Sequence, residues 1–196
     1  MSVFVEKKRK AKVSRETTET NIELGLELDG KGSYKIDVGI SFFEHMLTLL
    51  SKHSKIDLKV KAQGDLGHHL IEDVGIVLGQ ALKKALGKKK GIRRFGYSYI
   101  PMDESLARCV LDLSGRTYHV IDLNCQREKV EDCQVEDITH FFISLAKSAE
   151  INLHIQVLYG ENEHHKIEAA FKALAKSLQQ AIEVVSEDIP STKGIL

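Results

Sequence analysis

His68-His69 with Glu72 recurs as His164-His165 with Glu168, the same HHxxE spacing 96 residues later in a chain of 196. Imidazole and carboxylate are the side chains that hold first-row metal ions. At about 100° per residue on a helix, Glu72 projects between His68 and His69, and Glu168 between His164 and His165. Each face then offers two imidazoles and a carboxylate together. A lone HH pair is ordinary surface chemistry. Its return at half the chain length points to a duplicated domain with a duplicated metal site. The two histidines of a pair diverge by about 100° around the helix, so they are able to serve different ions.

His45 and His140 extend the pattern. His45 precedes His68 by 23 residues and His140 precedes His164 by 24. The set is His45, His68, His69, Glu72, His140, His164, His165 and Glu168, which divides into three imidazoles and one carboxylate per site. Such donors suit Mn(II), Fe(II) or Zn(II) with positions left open for substrate. Spacing does not say which ligand serves which ion. His53, His119 and His154 have no repeated partners and read as ordinary surface or core histidines.

Anion-binding candidates are Arg93-Arg94, Arg116 in Ser-Gly-Arg, Lys172 one turn after Glu168, and the Pro190-Ser191-Thr192-Lys193-Gly194 tail. In that tail a hydroxyl, backbone N–H groups and an ammonium can converge on a phosphate. Between two strand candidates, Glu16 and Glu19 are either turn residues or a general acid/base.

The elements that position these groups read as a repeat. Residues 3–13, 21–29 and 55–63 alternate as strands, while 41–53 and 68–86 carry helical spacing. In the second half 94–101, 105–113 and 151–159 read as strands, and 137–150 and 164–185 as helices. Phe42-Phe43 corresponds to Phe141-Phe142. Each half is β-β-α-β-α, expected as one sheet with two helices on one face. The fold class is α+β, with a first half 1–90 and a pseudo-symmetric second half 91–196 ending in the tail. The boundary falls near Gly87–Gly91, where three lysines form a solvated link.

Composition bounds the function. With 42% apolar and 29% charged residues and zero net charge, the chain is a soluble globular type with no electrostatic reason to bind nucleic acid or anionic lipid. No apolar run approaches the roughly 20 residues that span a membrane. The start, MSVFVEKKRKAK, lacks the apolar stretch of a signal peptide. Cys109, Cys125 and Cys133 are odd in number without CxxC spacing, so they read as reduced thiols in a cytoplasmic protein.

RETTETNI (15–22), FFEHM (42–46), HHLIED (68–73), GIRRFG (91–96), PMDESLA (101–107), LDLSGR (111–116), HFF (140–142), GENEHHKIEAAFKAL (160–174) and PSTKG (190–194) resemble the imidazoleglycerol-phosphate dehydratases of histidine biosynthesis, in that family's order and over nearly the whole chain. The resemblance implies tandem units of the ribosomal-S5-domain-2-like kind. It also implies a lyase that dehydrates D-erythro-imidazole-glycerol phosphate to imidazole-acetol phosphate. Two Mn(II) per subunit, other divalent metals being compatible, would be held by the eight ligands, with each site completed across subunits. The family forms a homo-oligomeric shell of about 24 copies. Glu19 matches the family's acid/base glutamate. Arg94, Arg116, Lys172, Ser191 and Lys193 match its phosphate contacts. Asp103 and Glu104 fall near the site with no role assigned.

Three positions depart from the family pattern. The loop before the first HH, of the kind GDxxIDDHHT, is here Gly64-Asp65-Leu66-Gly67-His68-His69, three residues shorter and without its acidic pair. Leu70 replaces the threonine after HH. Leu49 stands where a glutamine is usual. These changes leave the eight ligands in place and bear on whatever supports the first site. Three rival readings are a di-metal hydrolase or oxidase, a metal-assembled structural shell without turnover, and an RNA-binding module drawing on KKRKAK (7–12). The basic set argues against a small neutral substrate. Zero net charge and the lack of a clear aromatic stripe argue against RNA.

Overall fold

A computed structural model of the chain describes residues 9–194. The start of the expected 3–13 strand, and Lys7 and Lys8 of the basic run, lie outside the described residues. The first half runs β1 (Lys10–Glu16), β2 (Thr20–Glu27), β3 (Tyr34–Asp37), α1 (Ser41–Ser54), β4 (Asp57–Gly64) and α2 (Gly67–Leu86). The second runs β5 (Phe95–Met102), β6 (Ser105–Asp112), β7 (Tyr118–Asp122), a small hairpin of β8 (Lys129–Val130) and β9 (Cys133–Gln134), α3 (Val135–Ala149), β10 (Asn152–Tyr159) and α4 (Glu163–Ala181). The two four-stranded sheets share one topology, β1-β2-β4-β3 and β5-β6-β10-β7. Neighbours are antiparallel except β3 with β4 and β7 with β10, which are parallel.

Each four-stranded sheet thus has one strand more than its sequence pattern signals, and the second half adds the β8–β9 hairpin. β3 and β7 are edge strands without a buried residue. An edge strand that packs little lacks the apolar alternation that reveals central strands. Two further expectations are corrected. The last helix does not reach Val185: it ends at Ala181, and Val184 instead bridges antiparallel to Ile92. The N–H groups of Arg94 and Arg93 take the carbonyls of Ala181 and Glu183, which pulls the chain out of the helix. The link near Gly87–Gly91 is not fully solvated, because Lys89 is buried at a positive φ of 54°, and burial pushes its pKa down.

Ile22, Leu24 and Leu26 of β2 point inward, and Ala107, Cys109 and Leu111 of β6 do the same. α2 lies on the first sheet and α4 on the second. Between them α2 runs beside α3 and α1 beside α4, so helices of both halves form one continuous core. Phe43, Phe141, Phe142 and Phe171 are fully buried there, with Phe43 and Phe141 edge to face at 5.2 Å. The second sheet's outer face runs against expectation. Phe95, Tyr97 and Tyr99 alternate on β5 and are all exposed, because residues two apart share a strand face.

The α2–α3 contact depends on glycine. A Cβ on Gly75 would stand 2.8 Å from the Phe141 carbonyl oxygen, and one on Gly79 would stand 2.7 Å from that of Leu145. Matching steps of four residues on both helices show that they run parallel, with their N-termini at one end. α1 meets this arrangement through a cap from the other half: Asp132, in the β8–β9 turn, accepts from the N–H of Ser41 at 2.7 Å and of Phe42 at 3.0 Å. Carboxylates at helix N-termini satisfy orphan donors and favour the helix dipole. Gly79→Val is expected to lower stability by about 1–3 kcal/mol through overpacking, measured as a shift in the urea unfolding midpoint.

Candidate metal centre

Parallel pairing puts the N-terminal turns of α2 and α3 side by side, and likewise those of α1 and α4. Two ligand groups result. His68, Glu72 and His140 form one, and His45, His164 and Glu168 form the other; within each, one ligand atom per residue lies within 4.8 Å of the others. His164 Nε2 and His45 Nε2 stand 3.3 Å and 3.5 Å from Glu168 Oε2. His68 Nε2 stands 3.8 Å from Glu72 Oε2, and the His68 and His140 rings are 5.1 Å apart. Both groups cross the halves: an HHxxE helix supplies two ligands and the other half's single-histidine helix supplies the third. Burial works against the charge on Glu168, but Lys172 Nζ at 2.5 Å and then His45 hold its pKa below the ordinary value.

His69 and His165 lie outside their own chain's groups, as the divergence around the helix allows. All four HH histidines nevertheless share one arrangement. His68 Nδ1 meets Asp137 Oδ1 at 2.6 Å, His69 Nδ1 meets Asp65 Oδ1 at 2.8 Å, His164 Nδ1 meets Glu131 Oε1 at 3.3 Å, and His165 Nδ1 meets Glu104 Oε2 at 2.7 Å. A carboxylate on Nδ1 fixes the ring and leaves the Nε2 lone pair for a metal. The Asp65 contact raises the pKa of His69, and the Glu104 contact raises that of His165. The N–H of Asn162 and then His165 hold the Glu104 carboxyl well below the usual carboxylate range. Asp103 Oδ2 stands 3.8 Å from His165 Nε2.

Asp65, Glu131 and Asp137 were not singled out from the sequence. Asp65 had a signal, four residues before His69, and Asp137 sits three before His140 on one helix face. Glu131 had none. The shortened loop before His68 therefore keeps one carboxylate for His69, while α3 supplies the one for His68.

Glu19 is exposed in the β1–β2 turn, its Oε2 3.8 Å from His69 Nδ1. Of the anion-binding candidates, only Lys172 sits at a ligand group. Arg94 clasps Asp112 through Nε at 2.7 Å and Nη2 at 3.1 Å, while Nη1 donates to the Pro190 carbonyl at 2.8 Å, fastening the tail. Arg116 is exposed and shares its loop with Ser114, whose hydroxyl accepts from Asn152 at the start of β10. Ser191 Oγ accepts from the Lys193 N–H. These four residues gather near the C-terminal ends of α3 and α4. His164 and Ala181 stand at opposite ends of α4, about 25 Å apart at 1.5 Å per residue, so one chain does not bring these four residues to its ligand groups. His53, His119 and His154 belong to neither group. The three cysteines are free, burial pushes each pKa up to about 12, and none belongs to either ligand group. Among the described residues, no helix is long and apolar enough to cross a membrane.

The family model described as imidazoleglycerol-phosphate dehydratase matches residues 38–178. The dehydratase of Methanococcoides burtonii is 54% identical over 191 residues, covering 96% of this chain and 100% of the relative. That of Chlorobium phaeobacteroides is 50% identical over 191 residues, covering 96% of each. Among solved structures, the Staphylococcus aureus dehydratase superposes with a TM-score of 0.83 at 38% identity, over 90% of this chain and 99% of the other. The Pyrococcus furiosus protein gives 0.84 at 36% identity, over 94% of this chain and 100% of the other.

Removing a carboxylate behind a ligand loosens the imidazole it holds. Asp137→Ala is expected to weaken divalent-metal binding about 10–100-fold, read by isothermal titration calorimetry on the folded protein.

Proposed function

The chain belongs to the imidazoleglycerol-phosphate dehydratase family, and from that premise we propose that it converts D-erythro-imidazole-glycerol phosphate to imidazole-acetol phosphate in histidine biosynthesis. Two divalent ions per chain, Mn(II) foremost, serve as cofactors. The observation that carries this reading is the pair of cross-half ligand groups, each with two imidazoles and one carboxylate. Their donors are all nitrogen and oxygen, which fits Mn(II), Fe(II) or Zn(II). His45, His164 and Glu168 would hold one ion and His68, Glu72 and His140 the other, each set completed by His69 or His165 of a second copy. Bound metal supplies positive charge at an imidazole nitrogen, which makes loss of the ring N–H proton easier.

The remaining work falls to side chains. The proton to be moved lies on a carbon without an adjacent carbonyl, so it is acidic only once the ring is activated and the hydroxyl beside it departs as water. Glu19, exposed and next to His69, moves that proton, and the enol ketonises to product. Arg116, Lys172, Ser191 and Lys193 take the phosphate. Arg94 has donors left after clasping Asp112 and Pro190 and both steadies the tail and adds to the phosphate contacts. Glu104 orients His165, with Asp103 alongside. The separation of phosphate set and ligand groups within one chain supports active sites shared between copies, in a homo-oligomer of about 24. Three free cysteines, of which Cys109 and Cys133 are buried, support work in the reducing cytoplasm.

Glu19→Gln is expected to lower kcat about 10²–10⁴-fold with Mn(II) binding retained; full activity would remove Glu19 from the chemistry. Sharing between copies has its own test. Glu168→Gln and Arg116→Ala are each expected to be inactive alone and to regain turnover when disassembled and reassembled together. A mixture as inactive as its parts would place each site within one chain.

A further inference from the structure

Asp73 follows Glu72 on α2 and is buried, its side chain 11% exposed. A buried carboxylate is costly unless paired. Its partners all belong to the strands beside Glu19. Thr20, itself buried, donates its hydroxyl to Asp73 Oδ2 at 2.5 Å, and Arg15 Nε stands 3.0 Å from the same oxygen. Thr20 in turn closes the turn that carries Glu19. Thr17 N–H donates to the Thr20 carbonyl at 2.9 Å, and Thr17 Oγ1 accepts from the N–H of Glu19 at 3.1 Å and of Thr20 at 3.0 Å. The Glu19 carbonyl accepts from Asp65 N–H at 3.0 Å, the residue that also holds His69. The backbone of Glu19 is thus fixed on both sides while its carboxylate stays exposed.

The second half shows that the fold does not need this device. The residue after Glu168 is Ala169, fully buried on α4. Ser105 opens β6 as Thr20 opens β2, yet its hydroxyl turns to its neighbour Glu104 at 2.9 Å and not to the helix. The same duplicated unit therefore forms without a buried acid between its first turn and its HHxxE helix. The acid is present only in the half whose turn carries Glu19.

We propose that Asp73 is a positioning residue that, through Thr20, locks the turn bearing Glu19 to the helix bearing His68, His69 and Glu72. The proposal rests on the role of Glu19 given above. It acts on where the Glu19 carboxylate stands against the ligand helix and makes no contact with substrate or metal.

The test measures kcat, KM and Mn(II) stoichiometry for Asp73→Asn, Thr20→Val and Thr20→Ser in the assembled holoenzyme, with Glu19→Gln as reference. A misplaced acid/base group predicts that kcat falls about 10–100-fold in Asp73→Asn and Thr20→Val, with KM and metal content held. Thr20→Ser, which keeps the hydroxyl, retains wild-type kcat. Adding Asp73→Asn to Glu19→Gln produces no further loss, since the two act as one unit. Full activity of Asp73→Asn or Thr20→Val beside an inactive Glu19→Gln overturns this proposal alone. So does a loss that multiplies with that of Glu19→Gln, or one that Thr20→Ser shares. Full activity of Glu19→Gln overturns the role of Glu19 and this proposal with it. Should Asp73→Asn fail to fold, the Thr20 pair carries the same decision.

Discussion

The close, parallel packing of α2 on α3 governs the rest of the molecule. Gly75 and Gly79 let the α3 backbone approach within a distance that any side chain would block. Because the helices run the same way, their first turns meet at one end, and His68 and Glu72 find His140 there. The duplicated half repeats this with α1 and α4, where His45 meets His164 and Glu168. Each ligand group is therefore a product of the interface between halves. Neither half alone holds more than two ligands of either group, which gives a physical reason for the two units to stay fused around one core.

A second layer of order lies behind the imidazoles. Clustered histidines repel one another when protonated and point in no fixed direction when neutral. Asp65, Glu104, Glu131 and Asp137 answer both problems by taking the Nδ1 side of each ring, so that the four Nε2 atoms face away from these carboxylates. Two of these face groups inside the chain. The other two, on His69 and His165, are equally well held yet complete nothing within it. Holding a ring so firmly with no group of its own in the chain supports the proposal that a second copy uses it. The far-end placement of Arg94, Arg116, Ser191 and Lys193, proposed above as phosphate contacts, supports the same proposal.

Much of this was legible in the residues. The repeated HHxxE, the two lone helical histidines and the paired Phe-Phe motifs pointed to the duplication and to the residue types that meet in the two groups, because each is a local pattern that helical periodicity translates directly. The pairing of ligands across halves was not legible, since it depends on long-range helix packing that spacing does not encode. β3 and β7 escaped because edge strands bury too little to alternate. The end of α4 was misread because Ile182, Val184 and Val185 continue an apolar pattern, although a bridge to Ile92 ends the helix. The carboxylates behind the histidines come from separate elements, so only Asp65 and Asp137 left a local trace. Asp73 stood in plain view beside Glu72, but its partner Thr20 is 53 residues away.

The proposed function stands or falls with whether these eight residues form a two-metal site that dehydrates imidazoleglycerol phosphate. The most direct measurement is turnover of that substrate by chelated protein as Mn(II) is titrated back. No product is expected without metal, and activity is expected to saturate near two ions per chain, a stoichiometry set by the two groups. Full turnover by metal-free protein, or saturation of metal binding without product, would contradict it.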